Sequence, residues 1–261
     1  MQMKVAVITG ATRGIGRALA QAWHARGHAV VVSSSEATEA VRVAADLGGV
    51  RHGVMGIGCD VTQSDDHIRL WEGAVEFFGR VDVWVNNAGW ALTGTDLAHQ
   101  SEDELRRMVD VNLIGTMLGA RAAMAGMRAQ GGGAIYNMLG AGADGKVVPR
   151  MTAYATTKAA VTYLTHALAA EAEAAGSGVI VGGISPGLVI TEGFRREHAK
   201  LTEAERAMRE PWVNTIADTP KTIGKWAARA IDENTANDRI FTWLTAEKIR
   251  RRKAGPARRI L

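Results

Sequence analysis

Cysteine is almost absent from this sequence, because Cys59 is the only one among 261 residues. A single thiol cannot form a disulfide within the chain, which excludes a disulfide-stapled domain and makes a reducing, cytoplasmic compartment our expectation. We interpret Cys59 as a buried strand residue rather than a nucleophile. Long apolar runs are missing too, and a spanning helix needs about 20 apolar residues, so we expect no membrane span. The first four residues lead directly into a strand-like segment, so we also expect no signal peptide.

Clustered metal ligands and nucleic-acid-binding features are also lacking. The seven histidines are scattered, so we expect no metal site. The net charge of +4 is concentrated in residues 248–261, which contain seven Lys and Arg and no acid. We interpret this basic tail as a solvated or partner-packed terminus. Contact with nucleic acid or an anionic membrane is the alternative, but no interleaved aromatic residues support it.

The residues that are present indicate a globular α/β protein. Hydrophobic residues make up 47% of the chain and charged residues 22%, which is typical of globular proteins. Apolar strands joined by helical crossovers predict a parallel sheet covered on both faces. We therefore predict one domain, 1–261, with a Rossmann fold: a doubly wound, seven-stranded parallel sheet flanked by helices. The predicted strands are 4–9, 29–33, 54–59, 81–86, 133–138, 179–184 and 239–244, and the predicted helices are 15–26, 35–47, 64–78, 101–130, 154–175 and 223–233.

A glycine-rich loop, TGATRGIG at 9–16, joins the first predicted strand to the first predicted helix. Gly10 permits the sharp turn, Gly14 lets the main chain approach a pyrophosphate, and Gly16 allows the helix to pack closely on the strand. The N-terminus of the helix offers free N–H groups and the positive end of its dipole to the phosphates. Because strand, loop and helix occur in this order, we predict a dinucleotide-binding site.

Tyr154 and Lys158 lie one turn apart in a predicted helix. A phenol alone has a pKa of about 10 and is a weak acid at neutral pH. Lys158 places a cation on the same helix face, so we expect it to lower the pKa of Tyr154 and to make the phenol a usable proton donor and acceptor. The pair occurs by chance in many helices and becomes informative because of the nucleotide-binding loop upstream.

Four motifs, in this order, resemble those of the short-chain dehydrogenase/reductase family. They are the loop at 9–16, the sequence NNAG at 86–89, the Tyr and Lys of 154–158, and the proline–glycine pair at 186–187 with Thr191 beyond it. The resemblance extends over nearly the whole chain. It implies an oxidoreductase that interconverts a carbonyl and an alcohol by hydride transfer from or to a nicotinamide cofactor.

The same resemblance assigns roles to individual residues. It implies that Tyr154, Lys158 and Asn112 are catalytic, with the asparagine helping to hold a water and the lysine in a proton relay. A polar residue packing a helix interface is the alternative for Asn112. The residues that the resemblance assigns to the cofactor are Gly10, Thr12, Arg13, Gly14, Ile15, Gly16, Ser34, Ser35, Asp60, Val61, Asn87, Ala88, Gly89, Tyr154, Lys158, Pro186, Gly187, Val189 and Thr191.

The end of the second strand indicates which nicotinamide cofactor binds. NAD-binding proteins of this fold normally have a carboxylate there for the ribose hydroxyls, whereas this chain has three serines at 33–35 and no acid before Glu36. Arg13 and the serine hydroxyls would attract a 2′-phosphate, so we predict NADP(H) over NAD(H). A surface role is the alternative for Arg13. Asp60 and Val61 resemble the family's adenine-contacting pair, although Asp60 could instead cap the helix that follows.

The serine of the family's catalytic tetrad is missing. It normally follows the fifth strand, about thirteen residues before the tyrosine, and here Gly140 or Ala141 aligns with it. Loss of such a donor costs about 10²–10³-fold in turnover when nothing replaces it.

Three consequences of this gap remain open. In the first case, main-chain N–H groups of residues 140–142, or the side chain of Asp144 or Thr152, replace the serine. Alternatively, the substrate is activated enough to need only Tyr154. In the third case the chain is an NADP(H)-binding regulatory or binding protein with little redox activity. Because tyrosine, lysine and asparagine are retained together, we favour an active reductase.

Two further segments bear on substrate and assembly. Residues 137–145 (NMLGAGADG) resemble the corresponding segment of chlorophyll b reductases, which reduce a formyl group on a large tetrapyrrole, and this favours a bulky conjugated carbonyl substrate. We predict that 191–218 is a substrate lid and that Trp90 lines the same cleft. The aromatic residues and arginines of the lid suit a large, flat, anionic substrate, and ordinary packing and solvation of a helical lid are the alternative. The helices at 101–130 and 154–175 resemble those of the family's dimer or tetramer interfaces, so we expect a homodimer or a homotetramer.

Overall fold

Within residues 2–261, which the computed structural model describes, seven parallel strands form a single sheet. The strands are β1 (Val5–Ile8), β2 (Ala29–Ser34), β3 (Val54–Gly58), β4 (Val83–Asn86), β5 (Gly133–Met138), β6 (Val179–Ser185) and β7 (Arg239–Thr242). Their order in the sheet is β3-β2-β1-β4-β5-β6-β7. The predicted doubly wound Rossmann fold is confirmed.

Helices cover both faces of the sheet. They are α1 (Gly14–His24), α2 (Ala37–Asp46), α3 (Ser64–Phe78), α4 (Glu102–Val109), α5 (Gly115–Gln130), α6 (Thr152–Ala174), α7 (Glu192–Ala199), α8 (Glu203–Ile216), α9 (Pro220–Asp232) and α10 (Ala246–Ala254). None of the helices in residues 2–261 combines the length and apolar character that crossing a membrane requires.

The predicted helix 101–130 is interrupted. Ser101 and Glu104 form a reciprocal capping box at the start of α4, and a π-helical segment, Asp110–Ile114, separates α4 from α5. Such segments add a residue to one turn and are common at functional sites. The helical periodicity continues on both sides of it, so the sequence pattern did not reveal the interruption.

The apolar side chains of the strands pack alternately into two layers. Val30 and Val32 lie in a buried cluster with Trp23 on one face, whereas Val31 lies in a second cluster with Trp84 on the other. Because successive side chains of a strand point to opposite faces, a sheet buried on both sides needs continuous apolar strands. The valine run of β2 satisfies this requirement.

The strand order reverses between β1 and β4. In open α/β sheets, ligands bind at the carboxyl ends of the strands in the crevice that forms at such a reversal. The glycine-rich loop leaves β1 at this edge, and the NNAG segment leaves β4 beside it. The fold therefore brings the two motifs together.

The basic tail is folded against the protein. Arg252, in α10, and Arg258 both bind the carboxylate of Asp218, at 2.7 and 2.8 Å. The interpretation of residues 248–261 as a solvated or partner-packed terminus therefore does not hold for these two arginines, which pair within the chain. Their ion pairs join residues far apart in sequence, and the local charge pattern gave no sign of them.

Candidate functional site

The glycine-rich loop packs against the segment that follows β4. Gly10 and Gly14 have φ angles of +62° and +55°, a backbone region that favours glycine. A Cβ at Gly10 would lie 2.8 Å from Cα of Ala88, and a Cβ at Gly16 would lie 2.4 Å from Nδ2 of Asn87. The close approach of the two segments therefore requires glycine at these positions.

Hydrogen bonds hold the two segments in one arrangement. Thr9 Oγ1 accepts from the main-chain N–H groups of Asn87 and Ala88, at 3.0 and 3.1 Å. Asn87 Nδ2 donates to the carbonyl groups of Thr9 and Gly10, at 2.8 and 3.1 Å. The structure thus brings together the predicted cofactor residues of both motifs.

The N-terminus of α1 fits a phosphate group. Arg13 is its N-cap residue, its side chain caps no N–H group, and the first turn contains no acid. The free N–H groups and the positive dipole end are the usual elements of an anion site. A Cβ at Gly14 would lie 3.4 Å from Cγ2 of Thr191, while Ile15 packs on the core and Thr12 is half-buried. The free N–H groups therefore suit a pyrophosphate, whereas Glu192, whose Oε2 would lie 3.9 Å from a Cβ at Gly14, has to turn its carboxylate away from it.

The end of β2 lies beside the glycine-rich loop. Its Ser33 carbonyl accepts from the N–H group of Ala11 at 2.8 Å. Ser34 is half-buried and Ser35 is exposed, so a ligand can reach the hydroxyl groups. Arg13 is exposed and forms no ion pair with the residues that the structure describes. Its guanidinium is therefore available to an anion.

Asp60 and Val61 follow β3 as predicted. The Asp60 carboxylate accepts from the N–H and hydroxyl groups of Thr62, at 3.0 and 2.9 Å. Gln63 is the N-cap residue of α3, so the alternative that Asp60 caps this helix is wrong. Val61 is buried, and its carbonyl group bonds to Nε2 of His67 at 2.9 Å. This turn is therefore held by hydrogen bonds beside the crevice.

Tyr154 and Lys158 lie in α6, beside the carboxyl end of β5. Lys158 Nζ donates to the carbonyl group of Met138 at 2.9 Å and lies 5.8 Å from the centre of the Tyr154 ring. Lys158 is buried, whereas Tyr154 is only partly buried. A Cβ at Gly89 would lie 3.9 Å from Nζ of Lys158, so the tyrosine–lysine pair and the NNAG segment border the same space.

Burial perturbs both members of the pair. It raises the pKa of Tyr154 to about 12 and lowers the pKa of Lys158 to about 8. The net shift is therefore opposite to the lowered pKa that we expect for Tyr154, because the loss of hydration around a phenolate is the dominant cause. At neutral pH the phenol carries its proton and the lysine is largely charged. Such a pair can donate a proton to an oxygen on which negative charge develops.

Gly140 lies directly beside the Tyr154 hydroxyl. A Cβ at this position would lie 2.4 Å from Oη of Tyr154 and 3.2 Å from Cγ of Lys158. Gly140 is one of the two positions that align with the family's serine, and a side chain at Gly140 would point at the phenol. The phenol itself occupies the space that a serine side chain would need.

The groups suggested as replacements for the serine differ in placement. Asp144 and Thr152 are exposed, and Asp144 pairs with Lys146 at 2.5 Å. Thr152 is two residues from Tyr154 in α6, and residues at this spacing do not share a helix face. The N–H groups of residues 140–142 make no hydrogen bond to other groups within 2–261. The main chain is therefore the more suitable donor.

Asn112 is fully buried in the π segment and holds the main chain of Trp90. Its Oδ1 accepts from the N–H group of Trp90 and its Nδ2 donates to the carbonyl group of Trp90, both at 2.8 Å. Nδ2 also donates to Oγ1 of Thr157 at 3.2 Å. Among the residues described, the amide makes no hydrogen bond to Lys158. Its side chain therefore positions the cleft wall, and the proton relay through a water stays a prediction.

The segment after β6 turns sharply and continues into the lid. Pro186 is buried, and Gly187 has a φ angle of +72°. Val189 forms a parallel bridge with Asp218, and Thr191 is the N-cap residue of α7. Asp218 was not predicted as a site residue, because an isolated aspartate before Thr-Pro matches no motif.

The predicted lid, 191–218, contains α7 and α8. Phe194 packs on a small buried cluster that includes Ile190 and Val213. Met208 and Trp212 are instead 80% and 48% exposed. Phe194 thus packs against the protein, whereas Met208 and Trp212 face solvent.

The fold and this site define a class of protein: a Rossmann-fold oxidoreductase with a tyrosine–lysine pair beside a dinucleotide-binding loop. The family model for short chain dehydrogenases matches residues 4–202. The chain belongs to the short-chain dehydrogenase/reductase family, whose members bind a nicotinamide cofactor.

Relatives and solved structures agree with this assignment. Chlorophyll(ide) b reductases named chloroplastic, from Arabidopsis thaliana and Oryza sativa subsp. japonica, are 35% and 38% identical over 84% and 71% of this chain. The chain spans only 63% and 56% of their lengths. An oxidoreductase of Methylorubrum extorquens is 37% identical, with 84% of each chain covered.

Among solved structures, a 3-ketoacyl-(acyl-carrier-protein) reductase from Brucella melitensis, complexed with NADH, is similar at a TM-score of 0.78 and 25% identity, covering 92% of this chain and 96% of that one. A short-chain type dehydrogenase/reductase from Mycobacterium marinum is similar at a TM-score of 0.77 and 29% identity, covering 92% and 94%.

Proposed function

We propose that this chain is an NADP(H)-dependent oxidoreductase that interconverts a carbonyl and an alcohol, acting mainly as a reductase with Tyr154 as the acid. The observation that carries the proposal is the pairing of a protonated, partly exposed phenol with the buried amine of Lys158 beside the NNAG segment. When bound, the nicotinamide supplies the hydride that reduces the carbonyl carbon. Tyr154 gives its proton to the carbonyl oxygen, so the product is a neutral alcohol.

Lys158 stabilises the phenolate that this transfer leaves behind. At 5.8 Å from the ring centre and an effective dielectric constant of about 20, a full positive charge contributes about 3 kcal/mol. This attraction appears only when the phenol loses its proton, so it favours the transition state more than the ground state. The free N–H groups of residues 140–142 are the proposed second donors to the substrate oxygen, in place of the missing serine.

NADP(H) is the proposed cofactor, in preference to NAD(H). Arg13 is exposed, free of ion pairs within residues 2–261, and located at the N-terminus of α1. Ser34 and Ser35 lie where a carboxylate would repel a 2′-phosphate. These observations support the preference, and the dissociation constants of NADPH and NADH test it directly.

A bulky, conjugated carbonyl compound is the proposed substrate. Trp90 follows the NNAG segment, its main chain is held by Asn112, and the guanidinium carbon of Arg107 lies 5.2 Å from the centre of its ring. A rigid aromatic ring beside a cation suits flat substrates that carry negative charge. The names of the plant relatives, which refer to chlorophyll(ide) b, support the same class.

A homodimer or homotetramer is the proposed assembly. The outer surfaces of the π segment, α5 and α6 expose Ile114, Met117 and Tyr163, the last to 78%. Large apolar side chains on adjacent helices are typical of contact surfaces between subunits. Sedimentation of the purified chain distinguishes the two states.

Replacing Tyr154 by phenylalanine tests the proposed function. The variant lacks only the hydroxyl group, so turnover of an aldehyde or ketone with NADPH should fall by at least about 10²-fold while the Kd for NADPH stays unchanged. Unchanged turnover would exclude Tyr154 as the acid. Because the family's serine is missing, a binding protein without catalysis is the second candidate. NADPH binding without turnover of any aldehyde, ketone or quinone would favour that candidate.

A further inference from the structure

Asp218 is the buried centre of a cluster that joins the C-terminal residues to the base of the lid. We call Asp218, Trp243, Arg252 and Arg258 the Asp218 cluster. The Asp218 side chain is 7% exposed, and three donors reach its carboxylate. Trp243 Nε1 donates at 2.6 Å, Arg252 Nη2 at 2.7 Å and Arg258 Nη2 at 2.8 Å. A buried carboxylate needs such partners because its hydration is lost.

Each arginine also binds the main chain beside Asp218. Arg252 Nη1 donates to the carbonyl group of Ile216 at 2.9 Å, and Arg258 Nη1 donates to that of Thr215 at 2.8 Å. The planar guanidinium group can make both bonds at once, which a lysine cannot do in this geometry. The two arginines therefore fix the position of the last turn of α8 and of Asp218 itself.

The main chain of Asp218 also binds the residues that precede the lid. Its N–H group donates to the carbonyl group of Leu188, and its carbonyl group accepts from the N–H group of Ile190, both at 3.0 Å. Thr191 comes next and is the N-cap residue of α7. Its Cγ2 would lie 3.4 Å from a Cβ placed on Gly14, which is van der Waals contact. Residues 188–191 thus lie between the Asp218 cluster and the proposed phosphate site.

We propose that Asp218, held by Arg252 and Arg258, is a positioning residue for the nicotinamide half of the cofactor. It acts through residues 188–191, which follow β6 in the second mononucleotide-binding half of the fold, the half opposite the glycine-rich loop. Asp218 keeps these residues in one conformation. This role rests on the proposed function, since it requires that NADP(H) binds at the glycine-rich loop. The C-terminal residues are then part of the cofactor site, although they touch no cofactor group themselves.

The test compares variants within the same tail. Arg252→Gln and Arg258→Gln remove one partner of Asp218 and leave the others, whereas Arg251→Gln and Arg259→Gln are matched controls at exposed positions. Hydrogen exchange of the Ile190 and Asp218 N–H groups is measured without cofactor. The Kd is then measured for NADPH and for ADP-ribose 2′-phosphate, which lacks the nicotinamide. Thermal unfolding verifies that each variant is folded.

We expect exchange at both N–H groups to accelerate by about tenfold or more in the Arg252 and Arg258 variants, and the Kd for NADPH to rise about tenfold. Binding of the fragment, and all measurements on the controls, should stay within about twofold. Arg258→Lys should recover only part of the loss. Unchanged exchange, or equal weakening of NADPH and of the fragment, would overturn the positioning role alone. Absence of NADPH binding by the wild-type chain would overturn the proposed function as well.

Discussion

Replacing Gly140 by alanine tests whether the space beside the Tyr154 hydroxyl must stay free of side chains. The new Cβ would lie 2.4 Å from Oη of Tyr154, whereas ordinary van der Waals contact begins at 3.4 Å. Gly140 is not among the residues with a positive φ angle, so alanine introduces no backbone strain and the contact alone causes the effect. We expect the phenol, as the far end of a side chain, to move by about 1 Å.

A misplacement of about 1 Å at a reacting group costs about 10²-fold in rate, or about 2.7 kcal/mol of transition-state stabilisation. The kcat for a carbonyl substrate with NADPH should fall by this factor, while the Kd for NADPH stays unchanged. Gly73→Ala is the matched control, because it places a Cβ 3.1 Å from a methyl group of Ile57 at a half-buried position of α3. Its kcat should remain that of the wild type.

Gly140→Ser separates two explanations of the missing donor. It restores the hydroxyl group that the family has, but it brings the same Cβ into the space of the phenol. If lack of the donor limits the reaction, kcat should rise. If the empty space is required, kcat should fall as it does in the alanine variant. An alanine variant with kcat within about threefold of the wild type would refute the argument from space.

Three other predictions concern the cofactor, pH and substrate size. Arg13→Gln removes charge-assisted hydrogen bonds worth about 1.5–3 kcal/mol, so the Kd for NADPH should rise about 10–150-fold and that for NADH should not change; equal weakening of both contradicts the assigned contact with the 2′-phosphate. Lys158 is charged below its pKa of about 8 and must be charged to stabilise the phenolate, so kcat/KM for reduction should be level below pH 8 and fall by about tenfold per pH unit above it. A profile that is level from pH 7 to pH 10 would show that this charge is not needed. Trp90→Leu removes an aromatic wall, so KM should rise about tenfold for polycyclic aldehydes and stay constant for short aliphatic ones; a uniform change would point to a loss of fold.

The parts of the structure that depend on local constraints could be predicted from the sequence. A parallel strand buried on both faces requires an uninterrupted apolar run, and β2 has one in Val30–Val32. Gly10 and Gly16 are required where main chains approach closely, so their spacing indicates the loop in advance. The pairing of Tyr154 with Lys158 follows from helical geometry alone.

Features that depend on distant contacts or on burial could not be predicted in this way. Arg258 binds Asp218 from forty residues away, and no periodic pattern records such a pair. The pKa of Tyr154 rises because tertiary packing removes water, which a helix-face argument cannot include. Alignment left Gly140 and Ala141 equally suitable for the serine position, and only the three-dimensional direction of the Gly140 Cβ points to the phenol.

Asn112 binds residue 90 only through its main-chain N–H and carbonyl groups. Every amino acid except proline has both groups. The side chain at this position can consequently be exchanged without releasing the anchor beneath it. A location with a fixed backbone and an interchangeable surface is one from which new selectivities evolve by single substitutions. A library randomised at this codon should yield mostly folded proteins whose preferred carbonyl compounds differ.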